Sequence, residues 1–274
     1  WSAAALSSDG TKLVTVSRYD FIYTSADAGS SWIVRYPDTS LSPNRKWRSV
    51  ASSSDGSRLA GAVSGGYIYT SSSSGATWDR QDSAGKRDWY TVASSADGTK
   101  LAATSIGGYI YTSADSGSTW TERIGVGSRN WRVITSSADG SKLAAVVNNG
   151  YIYTSADSGT TWVEQTSAGL RSWQSVASSA DGSRLVASVI GGYVYTSSDY
   201  GATWTERSAV SSSGRISVAS SADGSRLVAA TAAGYIYVSS DYGLTWAERA
   251  GVGARDWWGI AMSADGSKVM ASAY

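Results

Sequence analysis

The chain has 274 residues, 42% of them apolar, with 13 Trp, 17 Tyr, 30 Gly, two Pro and neither His nor Cys. That length suits one or two ordinary domains with a buried core. The missing His and Cys exclude disulfides, zinc–thiolate sites and catalysis of the Ser-His-Asp or Cys-His kind. A net charge of +1, from 23 basic and 22 acidic side chains, gives no whole-molecule field for nucleic acid or a membrane surface. No apolar run approaches the ~18 residues of a membrane-spanning helix. With Trp1 first and no signal peptide, the chain reads as a mature product or an excised fragment.

A repeat organises the rest. The element S-x-D-G-[ST]-[KR]-[LV] places Asp9, Asp55, Asp97, Asp139, Asp181, Asp223 and Asp265 at one gap of 46 residues and then five of 42. Trp32, Trp78, Trp120, Trp162, Trp204 and Trp246 keep the same spacing, so one insertion of four residues lies in the segment holding Pro37 and Pro43. The units are 1–46, 47–88, 89–130, 131–172, 173–214, 215–256 and a partial 257–274.

Taken in chain order, the unit 131–172 shows four short runs, WRVITS, SKLAAVV, GYIYTS and TTWVEQ, separated by turn-forming clusters. No stretch has a helical period. A repeat of this length with four strands predicts an all-β propeller of four-stranded antiparallel blades, forming a single domain over 1–274. The seventh unit stops after its second strand, so the expectation is seven blades with the last incomplete; six blades plus a redundant hairpin is the alternative. In each S-x-D-G turn the Asp bonds its own backbone and the Gly takes positive φ. The Lys or Arg that follows reads as a solvated edge charge.

A second set of turns reads TSADAGSSW at 24–32, TSADSGSTW at 112–120, TSADSGTTW at 154–162, TSSDYGATW at 196–204 and VSSDYGLTW at 238–246. These resemble the Asp-box, S-x-D-x-G-x-T-W, of bacterial sialidases (the neuraminidase repeat), also found in sortilin-type receptors, some glucanases and photosystem assembly factors. The resemblance implies a turn between the third and fourth strands of each blade. There Asp27, Asp115, Asp157, Asp199 and Asp241 accept hydrogen bonds from turn amides, with the Trp packed beneath. It also implies an extracellular or secreted setting. Calcium needs six to eight oxygen ligands, whereas each box has one carboxylate and TSSSSGATW has Ser73 in its place. No metal and no cofactor is expected.

Sialidases, by the same resemblance, use an arginine triad, a Tyr–Glu nucleophilic pair and an Asp acid/base, each a singular departure from the repeat. Here Glu122, Glu164, Glu206 and Glu248 are the only glutamates, all in one repeat slot, and the Arg-x-Pro element of those enzymes is absent. Paired carboxylates for glycoside hydrolysis would have to come from Asp20, Asp38, Asp79, Asp82, Asp88 and Asp256, with Asp20 and Asp38 in the atypical first unit the nearest to a pair. The chain therefore reads as a non-enzyme, with a sialidase-like hydrolase a distant alternative.

An Arg-x-Trp tripeptide opens most units: Arg45 and Trp47, Arg87 and Trp89, Arg129 and Trp131, Arg171 and Trp173, Arg255 and Trp257. The sixth unit departs from it, with Ser213-Gly214-Arg215. These joints and the loops between second and third strands fall on the face opposite the turns. Indole beside guanidinium offers a platform and bidentate donors, so the repeated joints read as pockets of a multivalent, lectin-like module binding a glycan or protein. The competing reading makes each Trp a core plug. Ten basic residues near the joints, Arg48, Arg132 and Arg215 among them, face two acidic ones, which suits an acidic partner. Finally, the apolar edge Lys268–Ala273 predicts pairing with a partner strand or a second copy, a structural or assembly role being the second functional reading.

Overall fold

The computed structural model describes residues 1–19, 21–37, 45–212 and 214–273. Asp20, Asp38, Pro43 and Ser213 lie outside them. Six four-stranded antiparallel arrays follow one another. They are β1–β4 (Ala3–Leu6, Leu13–Val16, Ile22–Ser25, Ile33–Arg35), β5–β8 (Trp47–Ser52, Leu59–Gly66, Ile68–Ser71, Asp79–Gln81) and β9–β12 (Arg87–Ser94, Leu101–Gly108, Ile110–Ser113, Thr121–Arg123). Next come β13–β16 (Arg129–Ser136, Leu143–Gly150, Ile152–Ser155, Val163–Gln165), β17–β20 (Arg171–Ser178, Leu185–Val189, Tyr193–Ser197, Thr205–Ser211) and β21–β24 (Ile216–Ser220, Leu227–Thr231, Ile236–Ser239, Ala247–Glu248). The hairpin β25–β26 (Trp257–Met262, Val269–Ala273) completes the described chain. Among the described residues there is no α-helix, only single 3-10 turns such as Asp82–Ala84.

The fold is an all-β propeller, and its blades are joined by backbone. Ser8 N–H donates to Ser54 O, Ser54 to Ala96, Ala96 to Ala138, Ala138 to Ala180, Ala180 to Ala222, Ala222 to Ala264, and Ala264 back to Ser8, at 2.7–2.9 Å. The circuit closes on its starting residue, passing through seven S-x-D-G turns. Lysine side chains reinforce it at three of the junctions. Lys12 Nζ donates to Asp55 O at 2.9 Å, Lys100 Nζ to Asp139 O at 3.0 Å and Lys268 Nζ to Asp9 O at 2.8 Å. These lysines are inter-blade straps, not the solvated edge charges expected. The reason is steric as well as polar: Gly10 has φ +63°, and a Cβ there would stand 2.7 Å from Lys268 Cδ.

Consecutive large residues on the third strand are explained by packing on both sides. Tyr153 joins the buried cluster around Trp131 of its own blade, while Ile152 joins the cluster around Trp173 of the next. The alternating side chains of one strand thus fill two different interfaces. Strand β26 pairs with β25 on one side; among the described residues no strand pairs with its other edge.

The two turn types share a face. In the first, Asp9 accepts Ser7 Oγ at 2.6 Å and Thr11 N at 3.0 Å. In the second, Asp115 accepts Ser113 Oγ and Thr119 N at 2.8 Å each, and Trp120 Nε1 donates to Gly117 O at 2.8 Å. Asp27, Asp157, Asp199 and Asp241 repeat that pattern. Ser73 fills the slot in the second blade by accepting Thr77 N at 2.9 Å. The turns interlock through bonds such as Ser116 N to Thr99 O, 2.8 Å.

Candidate functional site: the joint face and channel mouth

The opposite face carries the joints, and three of them are built the same way. In the third blade, Trp89 is wholly buried and its Nε1 donates to Gly85 O at 3.3 Å. Its ring meets Tyr111 edge-on at 4.9 Å. Arg87 Nε donates to Ala84 O at 3.1 Å, with Cζ 4.5 Å from the Tyr111 ring centre. The Tyr111 hydroxyl in turn donates to Glu122 at 2.6 Å. Arg129, Trp131, Tyr153 and Glu164 repeat the cluster, as do Arg171, Trp173, Tyr195 and Glu206.

This arrangement corrects the expectation of indole platforms. Trp47, Trp89, Trp131 and Trp173 are at most 1% exposed and Trp257 is 7% exposed, so all five are core plugs with no ring face open to a ligand. The arginines remain at the surface: Arg129, Arg171 and Arg255 are exposed and Arg45 and Arg87 half-buried. Among the described residues, no carboxylate lies within ion-pairing distance of Arg87, Arg129 or Arg171. The joints pair with the ends of the second strands β6, β10 and β14. Gly66 pairs with Arg87, Gly108 with Arg129 and Gly150 with Arg171, which stitches neighbouring blades into one 16-stranded sheet.

The tyrosine–glutamate pairs were not foreseen. They arise from an 11-residue separation across the third and fourth strands, as between Tyr111 and Glu122. Burial, with Glu122 and Glu164 as hydrogen-bond acceptors, pushes the Tyr111 and Tyr153 hydroxyls above the ordinary phenol range, and Tyr195 is pushed up to about 12. A phenol so held stays protonated at neutral pH and acts as a donor. The pairs are braces of each blade.

The singular residues of the repeat lie one step further along. Trp47 pairs with Val63 and Ser49 with Ala62, so Arg48 is an extra residue bulged out of the ladder. Tyr90, Gln174 and Trp258 are bulged in the same way. Arg48, Tyr90, Gln174 and Trp258 line a central cavity of ≈ 360 Å³, whose other walls mix hydroxyls such as Ser49, Thr91 and Ser175 with apolar side chains such as Val133, Ile260 and Met262 of the inner strands. No carboxylate is among its lining residues. Of the non-repeated acids, Asp88 accepts from Ser64 Oγ, Asp82 pairs with Arg80 at 2.7 Å and Asp256 pairs with Arg215 at 2.7 Å. Among the described residues no cluster of three or more acids is placed to hold a metal ion. The sequence signal is the slot itself: Ser2, Arg48, Tyr90, Arg132, Gln174, Ile216 and Trp258 occupy it, and only arginine recurs.

No protein-family model matches the chain, and no curated protein matches it. Among solved structures it is similar to a YCF48 protein bound to a D1 peptide, with 18% identity, a TM-score of 0.74, and coverage of 94% of this chain and 85% of that one. It is also similar to YCF48 from Cyanidioschyzon merolae, with 15% identity, a TM-score of 0.74, and coverage of 98% and 91%. The xyloglucanase of family GH74 from Xanthomonas campestris aligns at 16% identity and a TM-score of 0.77, over 99% of this chain but 50% of that one. Likeness at these identities establishes the fold and nothing finer.

Proposed function

We propose that this chain is a non-catalytic binding propeller whose joint face takes an acidic segment of a protein partner. The observation that carries the reading is the row of guanidiniums at Arg87, Arg129 and Arg171, set over tyrosine rings at 4.5, 4.8 and 4.9 Å with no anionic partner. Each is anchored through Nε to a turn carbonyl, so little side-chain entropy is lost when the outer N–H groups engage a carboxylate. Several equivalent weak contacts on one face add through avidity. A propeller neighbour solved with a peptide supports a protein ligand. The glycan version drew on indole faces, which are buried, and so receives less support. The hydrogen-bonded S-x-D-x-G-x-T-W turns support assignment to the Asp-box repeat type. The hydrolase reading of the GH74 neighbours lacks an opposed carboxylate pair in the central cavity.

The test is binding to immobilised poly-L-glutamate at two salt concentrations. Wild type should be retained and weaken as salt rises, while a variant with Arg45, Arg87, Arg129, Arg171 and Arg255 all changed to Gln should lose at least tenfold. Equal binding by that variant, or no binding by wild type, would remove the reading. Release of reducing ends from xyloglucan oligosaccharides by the purified chain would overturn its non-catalytic part.

A further inference from the structure

Two cations meet at Tyr90 on the rim of the central cavity, Arg48 lining it and Arg132 packed on the far side of the ring, and the fold neutralises neither. Arg48 Cζ lies 5.6 Å and Arg132 Cζ 5.0 Å from the centre of the Tyr90 ring. Tyr90 belongs to β9, the inner strand between those of the two arginines, so one phenol is flanked by guanidiniums from the blades on either side. The Nε atoms of both arginines are buried and have no hydrogen-bond partner. Neither guanidinium has a carboxylate within ion-pairing distance among the described residues. Arg215, whose Nε is likewise buried without a partner, differs in its charge balance: its Cζ stacks 3.8 Å over Trp258 and its Nη2 bonds Asp256 at 2.7 Å.

Arg48, Tyr90, Gln174 and Trp258 border the same ≈ 360 Å³ cavity, and its other polar lining is neutral hydroxyl. Two partly desolvated positive charges with no counter-charge are unfavourable unless something supplies it. A single carboxylate would leave one charge over, whereas a dianion offsets both. Guanidinium forks suit clustered oxygens, which accept paired N–H bonds. Resting on the reading of the joint face as the binding face, the geometry points to Arg48, Tyr90 and Arg132 as a site for a dianionic group, either a phosphate monoester or a compact dicarboxylate. This combination occurs once around the ring, so there is one such site against several equivalent joints.

Calorimetric titration of the whole chain with inorganic phosphate, with malonate and, as a singly charged control, with acetate tests this at constant ionic strength and pH 7.5. One dianion should bind per chain, at least tenfold more tightly than acetate. Arg48→Gln or Arg132→Gln should weaken it at least tenfold, and Lys142→Gln on the turn face, over the Tyr200 ring, should leave it within twofold. Binding of phosphate alone or malonate alone upholds the site and identifies the source of the dianion. If the glutamine variants do not fold, Arg48→Lys retains the charge without the fork and should keep the preference over acetate with a several-fold loss. Acetate binding as tightly as both dianions, no saturable binding of either, or unchanged binding in the folded glutamine variants would overturn the site. Polyglutamate binding that persists while both dianions fail sinks this inference alone; failure of both sinks the joint-face reading too.

Discussion

On the turn face, Asp97 accepts Ser95 Oγ at 2.6 Å and Thr99 N at 3.0 Å, and Lys100 reaches the Asp139 carbonyl at 3.0 Å. On the joint face, Arg129 and Arg132 contact carbonyl oxygen and tyrosine rings but no anion among the described residues. Both faces carry a repeated charge on a repeated turn. One consumes its charges in joining blade to blade, while the other leaves them pointing outward over a rigid aromatic base. A repeat therefore does not by itself mark function; whether the repeated charge is already satisfied does.

The contrast can be broken most severely at its base. Trp131→Ala, which removes a fully buried indole, should cost about 3–5 kcal/mol, whereas Arg129→Ala should stay within about 0.5 kcal/mol. Paired melting curves check this, and comparable losses would make the arginine structural. Acid is the next lever. Hydrogen bonds from Ser7 and Thr11 hold Asp9 at about 2, and those from Ser179 and Ser183 hold Asp181 at about 2. Asp223 is held likewise by Ser221 and Ser225. Because the folded values lie below the unfolded ones, the unfolded chain binds more protons between about pH 4 and 2. The stability these turns provide is complete above about pH 4 and should fall progressively as pH drops toward 2. Denaturant midpoints that stay flat over that interval would show the turn-face bonds to be energetically idle.

Smaller effects sharpen the same comparison. Asp157→Ala deletes the acceptor of Thr161 N at 2.8 Å and should cost about 1 kcal/mol without changing polyglutamate binding. Ser73→Asp gives the second blade the two-oxygen acceptor that Asp115 offers Thr119, and should raise stability by a few tenths of a kcal/mol. A melting temperature lowered by Ser73→Asp would mean that blade has adapted to the shorter side chain.

Much of this was legible in the residues. The 42-residue spacing, four strand-like runs and turn chemistry led to blades, and strand direction placed joints and turns on opposite faces. The sequence could not say which of Trp47 and Arg48 faces the core. A strand's alternation would decide it, but the bulge after the Trp breaks the alternation at that residue. The Lys12 strap and the Tyr111–Glu122 pair were hidden for a different reason. Each depends on which backbone a long side chain lies across, 43 and 11 residues away, and that is a matter of register rather than of composition.

The closed circuit also bears on how the chain reaches its folded state. Lys12 meets the carbonyl of a residue 43 positions away, but Lys268 meets Asp9 across 259 positions for a bond of the same kind. Bringing the more distant pair together costs roughly 1.6 kcal/mol more chain entropy for no better contact. The seam between the first and last hairpins is thus the joint expected to form last and open first. The ring itself does not distinguish it from the others. A circular permutant whose break is moved to another joint would carry the late step with it, and the order of assembly would follow the position of the cut.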